Sequence, residues 1–213
     1  MNFDKYDLYV FDVDGTLYFQ NKLRIIMAGR LVSYYICHIN RIKDLFIIKD
    51  FRSLREKAKD TDNLYEATAK KNNVSVDRVK DVIQKWIYEN PLDAVKASRD
   101  SRLIAIINQL IDSGKKVAIW SDYEADEKLK VLGLECDNVY TAEQERVAEL
   151  KPSPKGLKLI MSDLNVEPAK TLMVGDRMVK DGEAAIAASA DYLILSKKAQ
   201  KRKEQLDKWI IKS

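Results

Sequence analysis

Asp12 and Asp14 stand two residues apart at the end of an apolar run, Leu8-Tyr9-Val10-Phe11, and Gly15 and Thr16 break the run directly after them. A run of this kind reads as a buried strand. Two carboxylates at the tip of a buried strand are unfavourable unless a metal ion or a strong hydrogen-bond network takes up their charge. The spacing therefore points to a binding site for something positive or proton-rich. Other polar residues recur far along the chain in comparable positions: Ser121 after the apolar stretch 117–120, Lys151 just before Pro152, Asp176 after Gly175, and Asp181 five residues beyond Asp176.

The elements that must carry these residues are legible from periodicity and breakers. Residues 6–12 read as a strand, and residues 18–98 as helices with charged and apolar residues at helical spacing. An amphipathic helix is predicted over 101–113, through Leu103, Ile106, Ile107, Leu110 and Ile111, stopped by Gly114. A strand follows at 117–120, a helix at 124–132 ending on Gly133, a short strand at 138–141, and a helix at 153–164 that opens beside Pro152 and Pro154. A strand at 171–174, an alanine-rich helix at 181–189 and a strand at 191–195 complete the series. Strands separated by helices predict an α/β fold with a parallel sheet covered on both faces. Ligands of such sheets sit at the carboxyl ends of the strands. Asp12, Asp14, Ser121 and Asp176 all fall there, and Lys151, ahead of a helix, can approach the same edge.

Four motifs in this order, Asp12-Val13-Asp14-Gly15-Thr16, Ser121, Lys151-Pro152-Ser153-Pro154 and Gly175-Asp176-Arg177 with Asp181, resemble the haloacid dehalogenase-like (HAD) hydrolase superfamily. They frame residues 6–196. The resemblance implies a Rossmann-like core, residues 1–17 and 99–213, with an all-helical cap of the C1 class, residues 18–98, inserted after the first strand. It implies a phosphatase in which Asp12 is the nucleophile and becomes an aspartyl-phosphate. Asp14 would be general acid and then base, and its main-chain carbonyl would join Asp12 and Asp176 around Mg2+, a cation suited to few carboxylates and several waters. Asp181 would hold metal waters or orient Lys151; a favourable acid at a helix N-terminus is its plainer reading. Ser121 and Lys151 would bind the transferring phosphoryl oxygens. Gly15 would let the chain turn sharply, and Thr16 would hydrogen-bond a nearby carboxylate. The resulting expectation is a Mg2+-dependent phosphatase acting on a small phosphorylated metabolite. A sugar phosphomutase shares the first half of that chemistry. A dehalogenase acting on carbon would have no need of Asp14 as acid. A binding protein without turnover, using the apolar cap as its interface, is the reading from another class.

Two places depart from the family pattern. Asp122 follows Ser121 where relatives often carry Asn, and an extra carboxylate near phosphate is unfavourable unless it points away or meets a cation. Relatives commonly place Gly near Ser189 and Ala190, which touches loop geometry and not chemistry.

Composition narrows the partners. Lys and Arg number 37 against 33 Asp and Glu, for a net charge of +4 and a pI of about 8.8. This mild excess suits an anionic small-molecule substrate and calls for no nucleic acid. It is concentrated in residues 18–98, with sixteen basic and ten acidic residues, read either as a basic lid or as a solvated helix face. Cys37 and Cys136 form no metal-ligand spacing and read as reduced thiols of a cytoplasmic protein. Residues 1–11 show no signal-peptide layout. No transmembrane segment is expected, because the best candidate, 25–48, is interrupted by Arg30, His38, Arg41, Lys43 and Asp44. The bulky apolar stretch 23–51 reads as cap core, with a homodimer surface or attachment to a membrane surface as its alternatives. His38, the only histidine, reads as structural. Helices are expected at 63–71 and 75–88, the latter capped by Ser75. The basic tail from 197, with Leu206, Trp209 and Ile210 as an apolar stripe, reads as a helix docked on the core, with an anionic partner as the alternative.

Overall fold

Leu8, Tyr9, Val10 and Phe11 are all buried, as a strand covered on both faces requires. They form β1 (Leu8–Phe11) in this computed structural model, which describes residues 3–209. The other strands are β2 (Lys116–Ser121), β3 (Val139–Thr141), β4 (Thr171–Gly175) and β5 (Asp191–Ile194). All pairings are parallel, in the order β3-β2-β1-β4-β5. Phe11 is in register with Ile119 on one side and Val174 on the other. The carboxyl ends of the three central strands therefore emerge together, at the point where the strand order reverses, which is where such sheets bind ligands.

Between β1 and β2 the chain makes α1 (Gln20–Cys37), α2 (Asp44–Lys57), α3 (Leu64–Asn72) and α4 (Val76–Ile83). A π-helical turn, Gln84–Glu89, extends α4, and α5 (Leu92–Ala97) follows. Ser75 caps α4 as expected, its hydroxyl accepting the Arg78 N–H at 3.2 Å. Helices α2, α3 and α4 pack on one another around Phe51, Val79 and Ile83, while α1 packs on α5. The chain leaves and re-enters at one place. Phe19 N–H donates to the Ser98 carbonyl at 2.8 Å, and Asp100 N–H donates to the Leu17 carbonyl at 3.0 Å.

The reading of stretch 23–51 as core holds for only part of its apolar residues. Leu23, Met27, Tyr35, Ile47, Ile48 and Phe51 are buried, but Ile25, Val32, Ile36, Ile39, Ile42 and Phe46 are exposed. Packing covers only one side of α1. His38 is likewise exposed and stacks on Tyr34, with ring centroids 4.1 Å apart.

The second half supplies α6 (Ser101–Asp112), α7 (Asp126–Leu132), α8 (Lys155–Asp163), α9 (Glu183–Ala187) and α10 (Ala199–Asp207). Alternation along the strands sorts the core into two layers. Leu8, Val10, Ala118 and Trp120 join Leu157, Ile160, Ala184 and Ala185 of α8 and α9. Tyr9, Phe11, Val117 and Ile119 join Leu103, Ile107, Leu129 and Leu206 of α6, α7 and α10. The tail thus docks on the core, with Leu206 and Trp209 buried and Trp209 stacked on Phe11; Ile210 lies outside the described residues. The alanine-rich helix starts earlier than expected, as a π-helical turn, Met178–Gly182, that leads into α9. Ser189 after it has φ +60°, a left-handed conformation that favours glycine. Among the described residues no helix is long and apolar enough to cross a membrane.

Candidate active site

Asp12 continues the ladder beyond β1, its N–H donating to the Val174 carbonyl at 2.9 Å. This places its side chain at the rim between β2 and β4, where it is buried. Oδ2 accepts the Thr16 hydroxyl at 2.7 Å, the bond expected of Thr16. Oδ1 accepts Lys151 Nζ at 2.5 Å. The same ammonium donates to Asp181 Oδ1 at 2.8 Å and to the Trp120 carbonyl at 3.2 Å.

Lys151 is held from behind through its main chain. Its N–H donates to Asp122 Oδ1 at 2.9 Å, and its carbonyl accepts Lys180 Nζ at 2.5 Å. Asp122 therefore fixes the lysine that the motif supplies, and its second oxygen lies 3.9 Å from Lys180 Nζ. The unusual carboxylate after Ser121 meets cations, the condition under which it is tolerable.

Asp176 follows β4 and Asp181 closes the site from the π-helical turn. Gly15 has φ +97°, and a Cβ there would lie 2.6 Å from Asp176 Oδ2, so only glycine lets the loop after β1 pass this carboxylate. A Cβ on Gly175 would lie 2.2 Å from Asp181 Cγ. Asp181 Oδ2 accepts the Arg177 N–H at 3.1 Å, which ties the turn together. Carboxylate oxygens of Asp12, Asp176 and Asp181 lie within 4.8 Å of one another. Asp176 Oδ1 is buried without a hydrogen-bond partner. A hard, all-oxygen set with an unused buried acceptor fits Mg2+ or a similar divalent cation.

Charge balance supports that fit. Burial pushes the Asp12 carboxyl up to about 8, with Asp181 and Asp176 adding to the rise against the pull of Lys151. Burial also raises Asp176, helped by Asp181 and opposed by Lys197, 3.6 Å away. Burial alone would lower the Lys151 ammonium, but Asp12, Asp181 and Asp122 outweigh it and raise it. One ammonium thus faces a cluster of three carboxylates.

Asp14 sits apart from this cluster. Its carboxylate accepts Lys128 Nζ at 2.7 and 3.0 Å and the Tyr18 hydroxyl. Burial works to raise its pKa, but Lys128 and Tyr18 together hold it below the ordinary carboxylate value. Ser121 is buried at the end of β2, where its hydroxyl accepts the Tyr123 N–H at 3.1 Å; it stands behind the cleft wall. The cleft itself, about 70 Å3, takes in Asp12, Asp14, Lys151, Asp176 and Asp181 together with Arg55, Tyr123 and Arg177.

Motif reasoning did not reach four residues that hold this geometry. Lys128 and Tyr18 engage Asp14. Arg55 of α2 is buried, lies 4.3 Å from the Tyr123 ring centroid, pairs with Glu143 at 2.6 Å and donates to the Asp122 carbonyl. Arg202 of α10 donates to the Gly15 carbonyl at 3.0 Å and to the Thr16 carbonyl, and pairs with Asp100 at 2.7 Å. Nothing in spacing marks them, since lysine and arginine on charged helices are ordinary. A second ion pair, Arg177 with Glu56, also ties α2 to the rim. Beyond Asp14 and Lys128, a wider groove runs along the inner side of α1, past Leu23, Met27 and Leu31, with Arg24 and Arg52 on it.

A parallel sheet with an acidic rim at its switch point and helices inserted after the first strand defines a Rossmann-like α/β fold. The model of the haloacid dehalogenase-like hydrolase family matches residues 6–189, and the chain belongs to that family. No curated protein sequence matches the chain. Among solved structures it is similar to a 2-haloacid dehalogenase from Pseudomonas syringae pv. tomato, with TM-score 0.62 and 15% identity over 89% of this chain and 86% of that one. It is similar to YfnB from Bacillus subtilis, bound to magnesium, with TM-score 0.61 and 14% identity over 89% and 86%. A predicted phosphoglycolate phosphatase from Haemophilus somnus gives TM-score 0.61 and 18% identity over 93% and 92%. At these identities the likeness is one of fold.

Proposed function

We propose that the chain is a Mg2+-dependent phosphatase that hydrolyses a small phosphorylated metabolite through a phosphorylated Asp12. The observation that carries this reading is the buried rim in which Lys151 bridges Asp12 and Asp181 while Asp176 keeps an unpartnered oxygen. Asp12 attacks the phosphorus of the ester, and the bond from phosphorus to the ester oxygen breaks. Asp14 gives the leaving oxygen its proton. Water then attacks the phosphorus, Asp14 takes a proton from it, and the bond between phosphorus and Asp12 breaks to free phosphate. Lys151, which lines the cleft, binds the phosphoryl oxygens, and Ser121, held behind the cleft wall by the Tyr123 N–H, joins it only by turning its hydroxyl into the cleft. Asp12, Asp176 and the Asp14 carbonyl would hold the metal, with Asp181 acting through its waters or through Lys151. Mg2+, which the related YfnB binds, supplies neutralisation of phosphoryl charge when bound.

Residues 18–98 act in this reading as a cap on a core of 1–17 and 99–213, hinged where the chain crosses at 17–19 and 98–100. Arg55 with Glu143, and Arg177 with Glu56, hold it down. Asp14 must leave Lys128 to give up a proton, so substrate binding has to break that pair. The groove with Arg24, Arg52 and Lys128 suits an alcohol portion that is anionic or hydroxylated. The free thiols Cys37 and Cys136 suit the reducing cytoplasm.

The test is phosphate release from a panel of phosphorylated metabolites with Mg2+, beside EDTA and Asp12→Asn. Metal-dependent release that the substitution abolishes is the expected result. No release from any ester by folded, Mg2+-supplied protein overturns the reading, and an isomerised ester in place of phosphate replaces it with the phosphomutase.

A further inference from the structure

Helix α1 is apolar on two opposite sides. Leu23, Met27 and Tyr35 turn inward and are buried. Ile25, Val32 and Ile36 follow one another at spacings of seven and four residues, which sets them on one outward stripe, and they are 75%, 61% and 68% exposed. The turn after α1 and the start of α2 continue the exposure with Ile39, Ile42 and Phe46, at 72%, 47% and 59%. Of the ten large exposed hydrophobic residues among those described, six fall within 25–46. Exposed apolar residues scattered singly need no explanation, but a concentration of this kind marks an interaction surface.

The charge around this surface decides what covers it. From 20 to 49 the sequence holds one acid, Asp44. It is buried and held by Arg78 at 2.5 and 2.7 Å. The next acid, Asp50, is taken by Lys71 at 2.8 Å. Arg41, Lys43 and Lys49 are exposed among the apolar side chains and join no ion pair with a carboxylate among the described residues. Among residues 20–49, then, the exposed charged side chains are all cations, interleaved with bulky apolar ones.

We propose that this face docks on the anionic surface of a lipid bilayer, with α1 lying along the interface and its outward stripe among the upper acyl carbons. A second copy of the chain fits less well, because a two-fold contact sets the same patch against itself and brings these cations together. Anionic headgroups neutralise them instead. Helix α1 has 18 residues and is not apolar enough to cross, so a surface-bound helix with cations at its polar margin is the arrangement left. Neither the active-site cleft nor the groove beside α1 is lined by Ile25, Val32, Ile36, Ile39, Ile42 or Phe46. The inference goes beyond the phosphatase reading and does not depend on it.

Flotation of the purified protein with phosphatidylcholine vesicles, with and without phosphatidylglycerol, tests it. The protein should float with the anionic vesicles, stay down with the neutral ones, and be released by added salt. Lys43→Gln should weaken binding about fivefold, and Ile36→Ser with Ile39→Ser at least about tenfold. Both variants should keep the parent melting temperature and solution activity, which separates a lost contact from a lost fold. Failure to float with anionic vesicles at low salt overturns the proposal. So does a concentration-dependent dimer that the Ile36→Ser, Ile39→Ser variant abolishes, which would give the face to a second copy.

Discussion

Replacing Arg202 by methionine removes a buried guanidinium that ties α10 to the loop carrying Asp12 and Asp14. Arg202 is 1% exposed and its ion-pair partner Asp100 is 5% exposed. Arg202 also donates to the carbonyls of Gly15 and Thr16. Asp100 caps α6 through the Leu103 N–H at 3.2 Å and bonds the outgoing strand through its own N–H to Leu17. Methionine matches the stem of arginine, so the loss falls on charge and hydrogen bonding and not on volume. An uncompensated buried carboxylate and two carbonyls without donors cost about 3–5 kcal/mol, the figure for breaking a buried pair. For a chain of this size that is a fall in Tm of roughly 6–20 °C, read by circular dichroism on heating. Adding Asp100→Asn to Arg202→Met removes the stranded charge and should regain about 0.5–3 kcal/mol. The reasoning is refuted by a single substitution that loses less than about 1 kcal/mol, or by a double variant whose loss is the sum of the two single ones.

Two further predictions concern the carboxylates. In metal-free protein Asp12 is raised to about 8 from an ordinary 3.8, so its protonated form stabilises the fold; that stabilisation is complete below the ordinary value and is lost as pH rises through about 8. EDTA-treated protein should therefore melt progressively lower from about pH 4 to about pH 8 and level off above that, Mg2+ should restore more at the alkaline end, and Asp12→Asn should flatten the profile; a pH-independent Tm across that window would count against the site as described. Asp14 is lowered, so its pairing with Lys128 stabilises the fold at neutral pH and fades as pH falls through the depressed value. Lys128→Met should lose about 1–3 kcal/mol at neutral pH, less than a fully buried pair because Asp14 keeps some exposure, and the loss should close in acid; equal melting temperatures at neutral pH would remove Lys128 from the argument.

What the sequence made legible depended on whether a residue's chemistry conflicted with its local pattern. Asp12, Asp176 and Lys151 stood out because carboxylates and an ammonium sit beside apolar strands and glycines, where they are unfavourable without a partner. The structure brings those three together with Asp181. The parallel sheet was legible for a related reason, since short apolar runs between helices have few other solutions. Arg202 carried no such conflict. In a run with Lys201 and Lys203 it reads as one more solvated cation, and only the arrival of α10 against the Gly15 and Thr16 carbonyls sets it apart. Lys128 was hidden in the same way on the charged helix α7. For stretch 23–51 the limit was geometric: both sides of α1 are apolar, so periodicity alone cannot say which side finds a partner.

The two helix faces that periodicity could not separate bear on the proposed chemistry through one observation. Asp14, the proposed acid, is held ionised by Lys128 and Tyr18, while α2 is tied to the rim through Arg55 and Glu56. Tyr18 lies in the segment that leads into α1 and forms an isolated antiparallel bridge with Arg99 at the point where the chain returns. Any swing of the helices about that crossing moves the Tyr18 hydroxyl relative to Asp14, whose other partner, Lys128, belongs to α7. In the proposed reading, with residues 18–98 as a moving cap, cap position and Asp14 protonation would be coupled through this hydrogen bond: displacement at the proposed hinge would remove Tyr18, one of the contacts that depress the carboxyl, and shift Asp14 toward the protonated form that leaving-group departure requires.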